Sequence, residues 1–147
     1  MVKIGEKTTK NTRDTGITVG TQLPQHELTI PVFQTEGKTA LLFISLHCMH
    51  CVDLLPYIKK IQNNYPFTFF LYSNGDKDDH AEMVEYFGWD FSVITASVEK
   101  METIFHVAAL PFGILCDENK RVIEKSVVYN DAGFDFLFQS TSLQDGG

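Results

Sequence analysis

Basic charge is scarce in this chain: 12 Lys and Arg stand against 19 Asp and Glu, a net charge of −7. A surface that grips nucleic-acid phosphates needs the opposite balance, so nucleic-acid binding is set aside. Attraction to anionic membrane surfaces is disfavoured for the same reason. No apolar run of membrane length occurs, and the first twenty residues, rich in Thr, Lys and Gly, contain no apolar core of a signal peptide. A chain from which an anchor had been removed would read the same way. Cysteine is also scarce. Three in 147 residues cannot replace a hydrophobic core, which excludes a disulfide-stapled miniprotein. Internal repeats and low-complexity blocks are missing too. What is present is 44% hydrophobic and 12% aromatic residues, twelve of them Phe, the composition of one globular domain.

Strand and helix patterns alternate along the chain. Residues 1–16 read as a flexible segment, 17–138 as the folded domain and 139–147 as a small, polar, disordered tail. Leu28–Phe33 reads as a short strand, at an edge because of Pro31. Thr39–Ser45 is a nearly continuous apolar run, the pattern of a strand buried on both faces. From Cys51 to Asn63, Leu54, Leu55, Ile58 and Ile61 fall on one helical stripe. Phe67–Tyr72 is a second buried strand, followed by an Asn74-Gly75 turn. Asp79 and Glu82 read as a capping box for a helix that stops at Gly88. Phe91–Thr95 is a short strand, and Ser97 caps a helix carrying Met101, Ile104, Phe105 and Ala108 on one face. Phe112–Cys116 and Arg121–Val128 form a hairpin about Asp117–Lys120, and Phe134–Phe138 a last helix. This order predicts an α/β sandwich with a central mixed sheet.

Two cysteines, Cys48 and Cys51, lie between the first buried strand and its helix. A helix N-terminus offers unsatisfied N–H groups and partial positive charge, which favour a thiolate. Cys48 would lie exposed at the helix mouth and Cys51 one turn further in, more buried. One sulfur can then attack a disulfide and the other resolve the mixed disulfide. His47 and His50 flank the pair, and an imidazolium there would stabilise the thiolate further. Cys116 stands apart on a strand and reads as a small buried hydrophobe.

These residues resemble the thioredoxin-fold thiol–disulfide oxidoreductases. Cys48 and Cys51 follow a buried strand, Pro56 lies five residues beyond Cys51, and Phe105-His106-Val107 leads to Pro111 and an Asp-containing hairpin. The lead-in Val19–Leu28 is similar to the TlpA/redoxin-like branch. The resemblance implies a three-layer sandwich with an N-terminal β-hairpin extension and an insertion before the second half of the fold. It implies a cis Leu110–Pro111 segment facing the cysteines as substrate-docking surface. It also implies a redox-active Cys48–Cys51 disulfide in place of any cofactor, with protein thiols and disulfides as partners of a monomer. An extracytoplasmic or membrane-tethered location follows from the same resemblance, with a cytoplasmic one left open. Three positions depart from the pattern: His47 replaces a tryptophan, Leu42 a buried acid and Leu54 a glutamate. With Met49-His50 between the cysteines, the motif is nearer the oxidising end of the family.

Rival readings are few. The cluster His47/Cys48/His50/Cys51 has donors soft enough for a copper or zinc carrier, although adjacent residues at a helix start point in different directions. No second close pair completes a zinc site, so no metal is assigned. Covalent haem is disfavoured because Val52 stands where histidine is needed. Ser45-x-x-Cys48 mimics part of a peroxidase motif that lacks its proline at Leu41. A non-catalytic interaction module built on the same fold is the remaining alternative.

Overall fold

The computed structural model describes residues 15–146. The expected flexible segment falls for residues 1–14 outside the described residues. Its last two members are pinned: Thr15 and Gly16 are buried, and Thr15 Oγ1 accepts the Ala108 N–H at 2.6 Å.

The elements are α1 (Ile30–Phe33), β1 (Thr39–Ile44), α2 (Met49–Asn64), β2 (Thr68–Ser73), α3 (Lys77–Phe87) and β3 (Ser92–Thr95). Then come α4 (Val98–Phe105), β4 (Phe112–Cys116), β5 (Val122–Val127) and α5 (Asp131–Gly146). The five strands form one mixed sheet in the order β3-β2-β1-β4-β5. β1 pairs parallel with β2 and antiparallel with β4, which makes it central.

All six residues of β1 are buried, and they alternate between two cores. Ala40, Leu42 and Ile44 face one side, with Leu54, Ile58 and Ile61 of α2 and Phe134 and Leu137 of α5. Leu41 and Phe43 face the other, with Val32 of α1 and Met101 and Phe105 of α4. The period-2 alternation of an apolar strand thus divides the molecule into three layers. Gly113 lies against α5, where a Cβ would stand 3.2 Å from Leu137 Cδ2 and 3.1 Å from Val128 Cγ2.

Four expectations are corrected. Leu28–Phe33 is not a strand: a 3₁₀ turn, Glu27–Thr29, runs into α1. Pro31 lies in the first turn of that helix, where a missing N–H costs nothing, so the proline marks a helix start. Among the described residues the lead-in makes no β-hairpin. It lies beside the start of β5, with a single bridge between Gln22 and Arg121 and a Leu23 N–H to Lys120 carbonyl bond of 2.9 Å. The capping box of α3 is Asp76 with Asp79, each carboxylate taking the other's N–H, one turn earlier than Asp79 and Glu82. Finally α5 continues through Gln139 to Gly146, where a tail was expected, and Thr141 within it is buried.

Candidate active site

The site lies where the central strand hands over to a helix. β1 ends at Ile44, and Cys48 is the N-cap of α2, with extended backbone (φ −102°, ψ 118°). Its sulfur occupies the place of the oxygen in a Ser or Asp cap and accepts the Cys51 N–H at 3.3 Å. That contact and the helix's N-terminal partial charge both favour negative charge on Cys48. The sulfur is half-buried, and on its other side the Leu110 carbonyl lies 3.8 Å away. The Leu110–Pro111 peptide is cis, and Pro111 is buried. Its carbonyl takes the Val128 N–H at 3.1 Å, fastening the segment to the end of β5.

Cys51 differs in every respect. Its side chain has no exposed surface and packs with Ala40, Leu42 and Leu54. Burial, followed by the neighbouring Cys48, pushes its thiol up to about 12. The two sulfurs therefore have opposite characters one helical turn apart, Cys48 accessible and Cys51 held protonated. Both are free thiols in this structure.

Met49 and His50 complete the exposed first turn, Met49 with 77% of its surface open. The His50 ring meets Tyr129 edge-on, centroids 5.2 Å apart. Between α2 and the β5–α5 connection, His50, Val52, Asp53, Pro56, Tyr57 and Tyr129 line an open cleft of about 650 Å³. His47 is exposed and gives its N–H to Ser45 Oγ at 3.1 Å. The loop from Ser45 to His47 is also held from β2's side, because the Leu46 N–H donates to Asn74 Oδ1 at 2.8 Å.

The structure thus brings together Cys48, Cys51, Leu110 and Pro111, with His47 and His50 at the rim. The other histidines lie elsewhere. His26 caps the 3₁₀ turn through Nδ1, and His106 ends α4 in the left-handed region (φ 60°). His80 is buried beside Thr95 Oγ1, 3.4 Å from its Nδ1. Cys116 is fully buried on β4, as expected for a packing residue, and burial pushes its thiol up to about 12. Among the described residues no group of three or more His, Cys, Asp or Glu is arranged to hold a metal ion. Nor is any helix among them long and apolar enough to cross a membrane. Two participants escaped the sequence reading. Tyr129 carried no local signal, and Asn74 announced only a turn through its Asn-Gly dipeptide.

No protein-family model matches the chain, and no curated protein matches its sequence. Solved structures do. A protein from Chlorobium tepidum assigned as the thiol:disulfide interchange protein DsbE superposes with a TM-score of 0.69 at 18% identity, over 89% of this chain and 99% of that one. Peroxidoxin BcpB from Mycobacterium tuberculosis gives 0.67 at 14% identity, over 86% and 97%. The thioredoxin domain of a thiol-disulfide oxidoreductase from Bacteroides vulgatus gives 0.62 at 16% identity, over 85% and 99%. Such likeness is one of fold, and with the sheet order and the cysteine pair at the head of α2 it makes this chain a thioredoxin-fold protein.

Proposed function

We propose that the protein exchanges thiols and disulfides with protein partners through Cys48 and Cys51. The observation that carries this reading is the asymmetry of the pair: Cys48 half-exposed at a helix N-cap with an N–H on its sulfur, and Cys51 buried behind it. In the reducing direction the Cys48 thiolate attacks one sulfur of a partner disulfide. A mixed disulfide forms, and the other partner sulfur leaves as a thiolate and takes a proton. Cys51 then gives up its proton and attacks Cys48, which releases the second partner thiol and leaves Cys48 and Cys51 joined. Two electrons and two protons have passed to the partner, and the oxidising direction is the reverse. His47 and His50, when protonated, add positive charge at the rim and favour the thiolate form. Leu110 and Pro111 shape the surface on which the partner's chain lies. By the family resemblance, the working location is extracytoplasmic or membrane-tethered, with a cytoplasmic one left open.

Single substitutions test this. Cys48→Ser is expected to abolish reduction of insulin and oxidation of reduced ribonuclease while the circular dichroism spectrum is retained. Cys51→Ser is expected to accumulate mixed disulfides with the partner, trapped at Cys48. Full activity in the Cys48→Ser protein would overturn the reading.

A further inference from the structure

Asn74 lies in the turn between β2 and α3, yet both ends of its amide bond the loop that delivers the cysteines. Its Oδ1 takes the Leu46 N–H at 2.8 Å, and its Nδ2 donates to Ser45 Oγ at 3.0 Å. Ser45 Oγ takes the next N–H, of His47, at 3.1 Å. The Ser45 carbonyl takes the one after that, of Cys48, at 3.1 Å. Three consecutive N–H groups leading to the attacking sulfur are therefore fixed by one asparagine and one serine. Ser45, which anchors three of these bonds, is buried, so losing its partner leaves a polar group shielded from water. An amide is the side chain that offers an acceptor and a donor from one planar group. Leucine offers neither, and an ionised aspartate only the acceptor.

The neighbour of Asn74 is shaped for the same approach. Gly75 is buried, and a Cβ there would stand 2.7 Å from Leu46 Cδ1 and 3.1 Å from His80 Nε2. The missing side chain lets the turn come close enough for the Asn74 amide to reach the loop.

We propose that Asn74 is the positioning residue of the Cys48–Cys51 site. It clamps Leu46 and Ser45 so that Cys48 Sγ stays at the Cys51 N–H, and through that geometry it sets the reactivity of Cys48. This rests on Cys48 and Cys51 being the exchanging pair. Asn74 acts through Ser45 and Leu46 and takes no part in bond making.

The test uses the full chain as Asn74→Ala, Ser45→Ala and the double variant. Alkylation of Cys48 by iodoacetamide is followed against pH by peptide mass spectrometry, and thermal unfolding is recorded alongside. Asn74→Ala is expected to slow Cys48 alkylation at neutral pH about threefold to tenfold, the range of one lost hydrogen bond, and to move the pH profile upward. Ser45→Ala is expected to act in the same direction. It decides the matter alone if Asn74→Ala does not unfold cooperatively. The double variant is expected to be little slower than the slower single one, because both act through one network. A residue that only supported the fold would lower the melting temperature and leave the Cys48 pH profile in place. That result, or strictly multiplicative effects, would overturn the proposal. Alkylation needs no partner disulfide. A wild-type protein that neither reduces insulin nor oxidises reduced ribonuclease would therefore remove the exchange reading, while the alkylation profiles still judge the clamp.

Discussion

The division of labour between the two sulfurs can be tested by asking which thiol reacts first. Burial and the adjacent Cys48 raise the Cys51 thiol from its ordinary 9.0 to about 12. At neutral pH that lowers its thiolate fraction about 1000-fold relative to an unperturbed cysteine. A more basic thiolate is also more nucleophilic. With a Brønsted slope of ~0.4–0.5 this returns roughly a factor of 15 to 30. Ionisation alone therefore slows Cys51 by about 30-fold to 60-fold, before its lack of exposed surface adds more. The assay is a timed reaction of the reduced protein with iodoacetamide at pH 7, quenched and read by peptide mass spectrometry. Cys48 is expected to label first, with Cys51 and Cys116 at least about 30-fold slower. In the Cys48→Ser protein Cys51 is expected to remain slow, since its main obstacle is burial. If Cys51 labels as fast as Cys48, or accelerates to the rate of a free thiol once Cys48 is removed, the assignment of attacking and resolving roles fails.

Two further predictions concern pH and stability. Cys51 and Cys116 keep their protons up to about 12 in the folded chain, whereas an unfolded thiol ionises near 9.0. Their contribution is whole below pH 9.0 and declines as pH rises toward 12, at most about 4 kcal/mol per group. Urea unfolding against pH is expected to weaken through that window, and Cys116→Ala to flatten the slope at a cost of about 1–2 kcal/mol at neutral pH, with exchange activity kept. A slope unchanged by Cys116→Ala would contradict this. His80 gives the opposite dependence: burial lowers its pKa from 6.5, against the raising effect of Asp79 and Asp76. The unfolded chain takes the proton first, so stability is expected to fall as pH drops below 6.5, and His80→Gln to lessen that fall in the same titration. An acid limb of equal steepness in both proteins would refute it.

How much of this was legible beforehand depended on whether the signal was local. Thr39–Ile44 announced a central strand because Ala40 to Ile44, all buried, form an unbroken apolar run. The stripe Leu54, Leu55, Ile58 and Ile61 announced α2, and all four are buried. Cys48 and Cys51 were readable for the same reason, since a strand followed by Cys-x-x-Cys at a helix start places one sulfur at the cap and one inside. Pro31 misled because proline suits both a strand edge and a helix's first turn, and only the 3₁₀ turn capped by His26 decides between them. The tail misled because its small polar residues gave no apolar stripe, yet α5 continues through them. Asn74 and Tyr129 could not be read at all. Their importance comes from what the sheet brings beside them, Ser45 and Leu46 for one and His50 for the other.

The central claim, that Cys48 and Cys51 form a working redox couple, is tested most directly by its reduction potential. The protein is equilibrated in graded glutathione or dithiothreitol buffers, and the reduced and disulfide forms are quantified by mass. The account predicts a reversible Cys48–Cys51 disulfide with a potential between about −120 and −270 mV, the span of exchange proteins from oxidant to reductant. A disulfide that resists reduction below about −300 mV, or two cysteines that never join, would contradict it.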